Sequence, residues 1–470
     1  MLFSLHGLNG KKRKRNPTYP CKNIKKCMFI LAFTSLQLSS AFKSAFTHHH
    51  RISLNYTRER LSALSSMTLP NSDTTTNTKK AKLISTSQTS LSEAGERLRS
   101  GHLVSFPTET VYGLGCHAID PVAVKRVFEA KERPLTDPLI VHVNEASHAL
   151  KLWDASSSSS STSSSVNNFE EKALKALADA FWPGPLTIVA KASPEIPSII
   201  MAGTGFVACR SPSHPIARSL IEASGIPIAA PSANKFGHVS PTRADHVMDD
   251  LGNEDVWIID PDLDSDVKVG EKDGIVCDVG VESTVAKVEM ESETTGIIAI
   301  LRHGAVSSQD IHDCLKNANL TSTFEVKEKM QSTGENVSHV APGQTIRHYS
   351  PNVQSFMVSN ERCSKEGIVW SQEEIEVLKT AVIIDFSGKL SSLKEYSLAY
   401  RDLCVDDDSK TAAANVFGFL RWSETITGAE RVFFPEIIVE ESNLVKDALV
   451  LAVKDRLTRA ASGVIVDSLS

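Results

Sequence analysis

The sequence lacks the features that define disulfide-rich, zinc-finger and membrane-spanning proteins. Its eight cysteines are scattered and none falls in a C-x-x-C pair, which argues against a disulfide framework and against a cysteine-type zinc site. The apolar stretch at 28–38 is about a dozen residues long, too short to span a bilayer. We therefore expect a chain without stable membrane association, whose mature form works in a reducing compartment.

Acidic residues are almost missing from the first 66 positions. That segment holds 12 lysines and arginines against one acid, Glu59, which leaves 38 basic and 55 acidic residues in the rest of a chain whose net charge is −6. The rest of the chain is therefore too acidic to bind long nucleic acid by counterion release. Small anions bound in a local basic pocket are the expected ligands.

The N-terminal segment has the composition of a targeting sequence. Lysines at 22–26 precede the short apolar stretch, as in a signal peptide, and an Arg-, Ser- and Thr-rich stretch follows, as in a transit peptide. We expect residues 1–66 to direct the chain to an organelle, with a plastid favoured over a mitochondrion. A cytoplasmic form could start at Met67. The basic run at 11–15 is interpreted as part of this segment rather than as a nuclear signal.

The remainder divides into two α/β domains. Residues 67–91 are polar and predict a flexible lead-in, and a Ser-rich insert at 156–165 predicts a surface loop. Short apolar runs mixed with amphipathic stretches over 92–304 predict an α/β domain with a twisted sheet. Residues 305–352 are interpreted as a linker, and 353–470 as a smaller, Rossmann-like α/β domain with a parallel sheet.

Clusters of small polar and basic residues follow several predicted strands, where α/β proteins bind ligands. Each has a plain structural alternative: a tight turn, a charged helix end, a core histidine, a surface strand end or an ordinary loop. The clusters are PTETVYGLG at 107–115 with Thr110; KERPLTDPLIVH at 131–142 with Lys131, Arg133, Asp137 and His142; Arg210 before Ser-Pro; PSANKFGHVSPT at 231–242 with Ser232, Asn234 and Thr242; and Glu282-Ser283-Thr284 with Arg302.

In this order and spacing the clusters resemble the YrdC-type threonylcarbamoyl-AMP synthases over about residues 92–304. The segment APGQTIRHYSP and the domain after it resemble the longer, two-domain form of that family. The resemblance implies a YrdC-like twisted mixed sheet with helices, joined to the smaller domain by a linker that crosses the mouth of the active site.

The implied reaction converts L-threonine, bicarbonate and ATP to threonylcarbamoyl-AMP and pyrophosphate, for modification of an adenosine next to the tRNA anticodon. A separate transferase would use the product, so tRNA is met only indirectly. Magnesium is expected with ATP and needs no protein metal site.

The resemblance also implies roles for individual residues. Charge neutralisation and orientation would fall to Lys131, Arg133, Ser232 and Asn234. Threonine would be bound by Thr110, His142, Arg210 and Ser283. ATP would be bound by Arg133, Asp137, Asn234, Thr242, Arg302 and Tyr349.

Two other functions remain to be considered, and one residue departs from the family pattern. The domain could bind RNA without catalysis, although such a binder has no need of all four charge-neutralising and orienting residues. A larger type of carbamoyl-transfer enzyme would carry zinc fingers, which the cysteine pattern excludes. Asp137 stands where many relatives have asparagine, and an acid near phosphates should repel them unless it faces a cation or solvent.

Overall fold

The computed structural model describes residues 81–154, 169–264, 276–329, 339–342, 349–363, 370–439 and 447–469. The predicted targeting segment and the Ser-rich insert lie outside these residues. Within the described ranges, no helix is long and apolar enough to cross a membrane.

The first domain is a layered mixture of strands and helices. Its strands are β1 (Lys82–Ile84), β2 (Leu103–Phe106), β3 (Gly113–His117), β4 (Ile140–His142), β5 (Leu186–Lys191), β6 (Phe206–Arg210), β7 (Ile228–Ala229), β8 (Val256–Ile259), β9 (Thr284–Met290), β10 (Gly296–Arg302) and β11 (Phe324–Glu328). Its helices are α1 (Gln88–Arg99), α2 (Pro121–Lys131), α3 (Ala146–Leu152), α4 (Phe169–Phe181), α5 (Pro215–Ser224), α6 (Ala244–Leu251) and α7 (Ser308–Asn317), with 3-10 turns at Ser198–Met201 and Pro261–Asp264.

These strands form one mixed sheet in the order β1-β8-β2-β3-β7-β4-β6-β5-β9-β10-β11. Parallel pairs such as β4 with β6 alternate with antiparallel pairs such as β5 with β6. The predicted twisted mixed α/β sheet is confirmed. The central strands are buried on both faces, which is why they appear in the sequence as continuous apolar runs.

The sheet of the first domain extends into the segments that flank residues 92–304. β1, within the predicted flexible lead-in, pairs with β8, and α1 begins at Gln88, where Ser87 caps its first turn. The predicted linker contains α7 and β11, and β11 pairs with β10 as a further strand of the sheet. Apolar residues in these short segments are buried against the sheet.

The second domain carries its own parallel sheet, as predicted. Its strands are β12 (Gln354–Val358), β13 (Ala381–Asp385), β14 (Ala399–Asp402), β15 (Arg431–Pro435) and β16 (Ile465–Val466), in the order β14-β13-β15-β12-β16. Its helices are α8 (Asn360–Cys363), α9 (Gln372–Leu378), α10 (Ser409–Thr425) and α11 (Ala448–Ala460), with a 3-10 turn at Ser391–Leu393.

One apolar cluster joins the two domains. Val111, Val239 and Val281 of the first domain pack in the same cluster as Phe417 of α10 and Leu457 of α11. Because burying apolar surface is the main favourable term in association, this shared cluster fixes α10 and α11 against the first domain.

A cluster of charged residues also stabilises the contact between the two domains. His238 lies between Asp250 of α6 and Glu424 of α10, with ring nitrogens 2.9 Å from a carboxylate oxygen of each. Arg421 of α10 adds an ion pair with Asp250 at 3.2 Å. Burial alone would lower the pKa of His238, but hydrogen bonds to the two carboxylates outweigh it and raise the pKa from 6.5 to about 9.

We therefore expect stability to depend on pH through His238. A raised histidine pKa contributes stability that is fully present below the unfolded value and is lost as pH rises through the folded value. Between pH 7 and 10, the free energy of unfolding should fall by about 2 kcal/mol more in the wild type than in His238→Asn. Urea unfolding across that range measures this difference, and identical pH profiles for the two proteins would contradict it.

Candidate active site

An open pocket, whose empty space is about 520 Å³ with the adjoining solvent included, lies on the first domain where several of the predicted clusters meet. It is lined by Thr108, Thr110, Val111, Gly113, Arg133, Ile140, His142, Arg210, Ala230, Pro231, Ser232, Glu282, Ser283, Arg302, Pro342 and Tyr349. Eight of the predicted site residues are among them: Thr110, Arg133, His142, Arg210, Ser232, Ser283, Arg302 and Tyr349. Lys131, Asp137, Asn234 and Thr242 are not.

The glycines of PTETVYGLG let strand β3 pass close to its neighbours. A Cβ atom on Gly115 would lie 2.8 Å from the Phe106 ring and 2.9 Å from Ile228. The segment predicted as a turn thus continues directly into β3. Because its glycines have no side chains, β2, β3 and β7 can lie close together beside the pocket.

Arg210, at the end of β6, is held by the same cluster. Its Nη2 lies 2.6 Å from Glu109 Oε1, and its Nη1 donates to Thr110 Oγ1 at 2.8 Å. Both side chains of the ion pair are about 5% exposed. Burial alone would raise the pKa of Glu109, but the charge of Arg210 lowers it overall. Glu109 therefore stays ionised and fixes the guanidinium at the pocket.

Arg133 forms an ion pair with Asp137, the acid that stands where many relatives have asparagine. The two side chains are almost completely buried, with Arg133 Nη2 2.9 Å from Asp137 Oδ2. Arg133 also donates to the backbone carbonyls of Asp137 and Pro138 at 3.1 and 2.8 Å. Burial lowers the pKa of Arg133, and the charge of Asp137 opposes that shift. The acid thus faces a cation rather than the pocket.

Lys131 and Asn234 support the loop after β7 instead of lining the pocket. Lys131 is fully buried, and its Nζ donates to the backbone carbonyl of Ser232 at 2.6 Å and to that of Asn234. The Asn234 amide donates to the carbonyls of Lys235 and His238. These bonds set the conformation of the loop that presents Ser232. Thr242 is buried outside the pocket lining.

Ser283 and Arg302 form the opposite wall. Ser283 Oγ lies 2.7 Å from Thr187 Oγ1 and accepts a hydrogen bond from Arg302 Nη2 at 3.1 Å. Arg302 Nη1 donates to the backbone carbonyl of Pro342 at 3.3 Å. The third guanidinium of the pocket therefore contacts both the residue that precedes β9 and the segment that leads to the second domain.

Burial fixes the protonation states of two further side chains of the pocket, His142 and Tyr349, at neutral pH. Burial, with Arg210 nearby, lowers the pKa of His142 to about 3, so its imidazole is neutral. Burial raises the pKa of Tyr349 to about 12, so its hydroxyl stays protonated and can donate. Tyr349 has a positive φ of 61° and packs 5.4 Å from the Phe417 ring of α10.

Two functional carboxylates are missing from the predicted site. Glu282 lines the pocket, and Glu109 lies behind Arg210, which lines it; each acid is ion-paired to a buried arginine. Glu282 was noted in the sequence only as a neighbour of Ser283. Nothing in a sequence distinguishes such an acid from one on the surface. Among the described residues, no three His, Cys, Asp or Glu side chains are grouped to hold a metal ion.

The arrangement suits the binding of more than one anion. Three guanidinium groups, from Arg133, Arg210 and Arg302, line one pocket together with the hydroxyls of Thr110, Ser232 and Ser283. Guanidinium groups bind carboxylate and phosphate oxygens through two parallel hydrogen bonds.

Comparison with protein families gives two adjoining matches. Residues 96–304 match a family described as telomere recombination, of the Sua5, YciO and YrdC type. Residues 306–462 match the C-terminal domain of threonylcarbamoyl-AMP synthase.

Individual relatives agree with these matches. The chain is 38% identical over 266 residues to a threonylcarbamoyl-AMP synthase of Pyrococcus abyssi, covering 56% of this chain and 66% of the relative. It is 34% identical over 315 residues to one of Schizosaccharomyces pombe, covering 63% and 72%. A crystal structure of Pyrococcus abyssi Sua5 with L-threonine superimposes with a TM-score of 0.63 at 30% identity, covering 82% of this chain and 98% of that one.

The buried pair of Glu109 and Arg210 should matter for stability in a way that a surface pair does not. Glu109→Gln leaves a buried guanidinium without its counter-charge, so we expect the free energy of unfolding to fall by about 3 kcal/mol. Glu96→Gln removes an exposed pair with Arg99 and should cost less than about 1 kcal/mol. Urea unfolding at pH 7 compares the two, and equal losses would contradict the assignment.

Proposed function

Because the chain belongs to the threonylcarbamoyl-AMP synthase family, in its two-domain form, we propose that it converts L-threonine, bicarbonate and ATP to threonylcarbamoyl-AMP and pyrophosphate. One observation carries the proposal: three buried guanidinium groups and three hydroxyls converge on a single pocket, and Tyr349, from the segment between the domains, lies against it. A site that joins two anionic substrates requires this concentration of positive charge.

Threonine binds at the Arg210 end of this pocket. Arg210 holds the carboxylate, and the hydroxyls of Thr110 and Ser283 lie within the same lining. The neutral imidazole of His142 offers a hydrogen bond without adding charge. The amino group of threonine attacks the carbon of bicarbonate, water leaves, and the resulting carbamate presents an oxygen toward the nucleotide.

ATP occupies the side formed by Arg133, Ser232, Arg302 and Tyr349. The carbamate oxygen attacks the α-phosphorus, and the bond to the leaving pyrophosphate breaks. This chemistry needs no protein nucleophile, since positioning and charge neutralisation supply the acceleration. The carboxylate of Asp137 offsets part of the positive charge of Arg133. Lys131 and Asn234 act indirectly, by holding the loop that carries Ser232.

The remaining roles lie outside the pocket. Thr242 would reach ATP only if the loop that carries it moved. Magnesium would arrive with the triphosphate and neutralise part of its charge. A separate transferase would pass the threonylcarbamoyl group to tRNA, and residues 1–66 would direct the enzyme to an organelle, a plastid in preference to a mitochondrion.

The test follows pyrophosphate release by the purified chain with threonine, bicarbonate, ATP and magnesium. Arg133→Ala should lower kcat by about 100-fold or more, because it removes a preorganised positive charge. Arg243→Ala, which removes an exposed arginine paired with Asp245, is the matched control and should keep wild-type rates.

Release that depends on both threonine and bicarbonate, and that is lost only in the Arg133 variant, supports the proposal. A folded wild-type chain that binds ATP but releases no pyrophosphate contradicts it and favours a binding module. Circular dichroism of each variant separates loss of function from loss of fold.

A further inference from the structure

A buried arginine of the second domain reaches the wall of the pocket. Arg456 lies on α11 and its side chain is fully buried. Its Nε donates to Glu282 Oε2 at 2.9 Å, and its Nη1 donates to the backbone carbonyl of His303 at 3.0 Å. Its guanidinium carbon lies 5.4 Å from the centre of the Tyr349 ring.

Glu282 connects this arginine to the substrate side. It lines the pocket and immediately precedes Ser283. Its other carboxylate oxygen accepts a hydrogen bond from Ser240 Oγ at 2.6 Å. Ser240 belongs to the loop after β7 that also carries Ser232. One carboxylate thus ties α11 to two of the segments that form the pocket.

The negative charge of Glu282 explains why a buried arginine is needed beside the pocket. Glu282 is the carboxylate in the pocket lining, and its charge is felt by both Arg302 and Tyr349. Left unpaired, it would repel a triphosphate and compete for Arg302. Arg456 supplies a counter-charge to Glu282 and fixes its Oε2, while its Nη1 also pairs with Asp455 on the same helix at 3.0 Å.

We propose that Arg456 is a positioning residue for ATP, through which the second domain neutralises and orients Glu282 in the pocket of the first. This inference rests on the proposed function and gives the second domain a part in it. The domain does more than carry the segment containing Tyr349, because it also supplies the counter-charge that lets an acidic wall accept a polyanion.

Steady-state pyrophosphate release by the full chain provides the test. Arg456→Met leaves Glu282 unpaired beside the triphosphate, so KM for ATP should rise by about tenfold or more, with a smaller change in KM for threonine. The double variant Glu282→Gln with Arg456→Met removes the bare charge and should restore most of the lost ATP affinity, as in a double-mutant cycle. Arg456→Lys keeps the positive charge but has one donor nitrogen in place of the two that contact Glu282 and His303, and it should fall between wild type and Arg456→Met.

Arg421→Met is the matched control. It removes a second buried arginine that joins the two domains, through Asp250, which is not part of the pocket lining, and through the backbone carbonyl of Val239. If Arg456 only fastens the domains, both single variants will change KM for ATP alike. If Arg456 positions Glu282, only the Arg456 variant will change it. Thermal unfolding of every variant checks that each is folded.

The outcomes are distinct. No pyrophosphate from the wild type would overturn the proposed function itself. An active wild type with unchanged KM for ATP in Arg456→Met, or with no recovery in the double variant, would overturn this inference alone. If Arg456→Met does not fold, Arg456→Lys decides: adding Glu282→Gln to it should lower KM for ATP again, and no such recovery would overturn this inference.

Discussion

Buried pairing of arginine with carboxylate is the constraint on which the site depends. A guanidinium cannot be neutralised by losing its proton, and an unpaired buried charge costs several kcal/mol. Among the described residues, three such pairs meet this constraint at the pocket: Arg210 with Glu109, Arg133 with Asp137, and Arg456 with Glu282. Each pair leaves a fixed guanidinium or a neutralised acid at one pocket, so a protein of net negative charge can still bind anions.

The second domain is part of this arrangement. Gly280 has a positive φ of 71°, and a Cβ atom there would lie 2.3 Å from the Cα of Ala414 in α10, so the backbones of the two domains approach closely. Val281 follows in the shared apolar cluster, and Glu282 then meets Arg456 of α11. Consecutive residues of one segment therefore form the domain contact and the pocket wall, which couples the docking of the second domain to the geometry of the site.

Much of the fold was predictable because buried strands are apolar runs with clear ends. The apolar run at 206–210 forms β6, whereas β1 and β11 are harder to foresee because they are short and lie in mostly polar segments. The ordered motifs also predicted which side chains would converge. They could not distinguish Arg133, which lines the pocket, from Lys131, two residues earlier, which supports a loop. Arg456 lies between Lys454 and Arg459 in a helix whose charged positions resemble a solvent-exposed face, so its burial follows only from packing between domains.

We propose that one pocket holds threonine and ATP together on these guanidinium groups. A crystal structure of the chain with L-threonine and a non-hydrolysable ATP analogue is the most direct test. We expect the threonine carboxylate against Arg210, the triphosphate against Arg133 and Arg302, and Glu282 still paired with Arg456. A nucleotide bound outside this pocket, or a threonine carboxylate that does not contact Arg210, would contradict it.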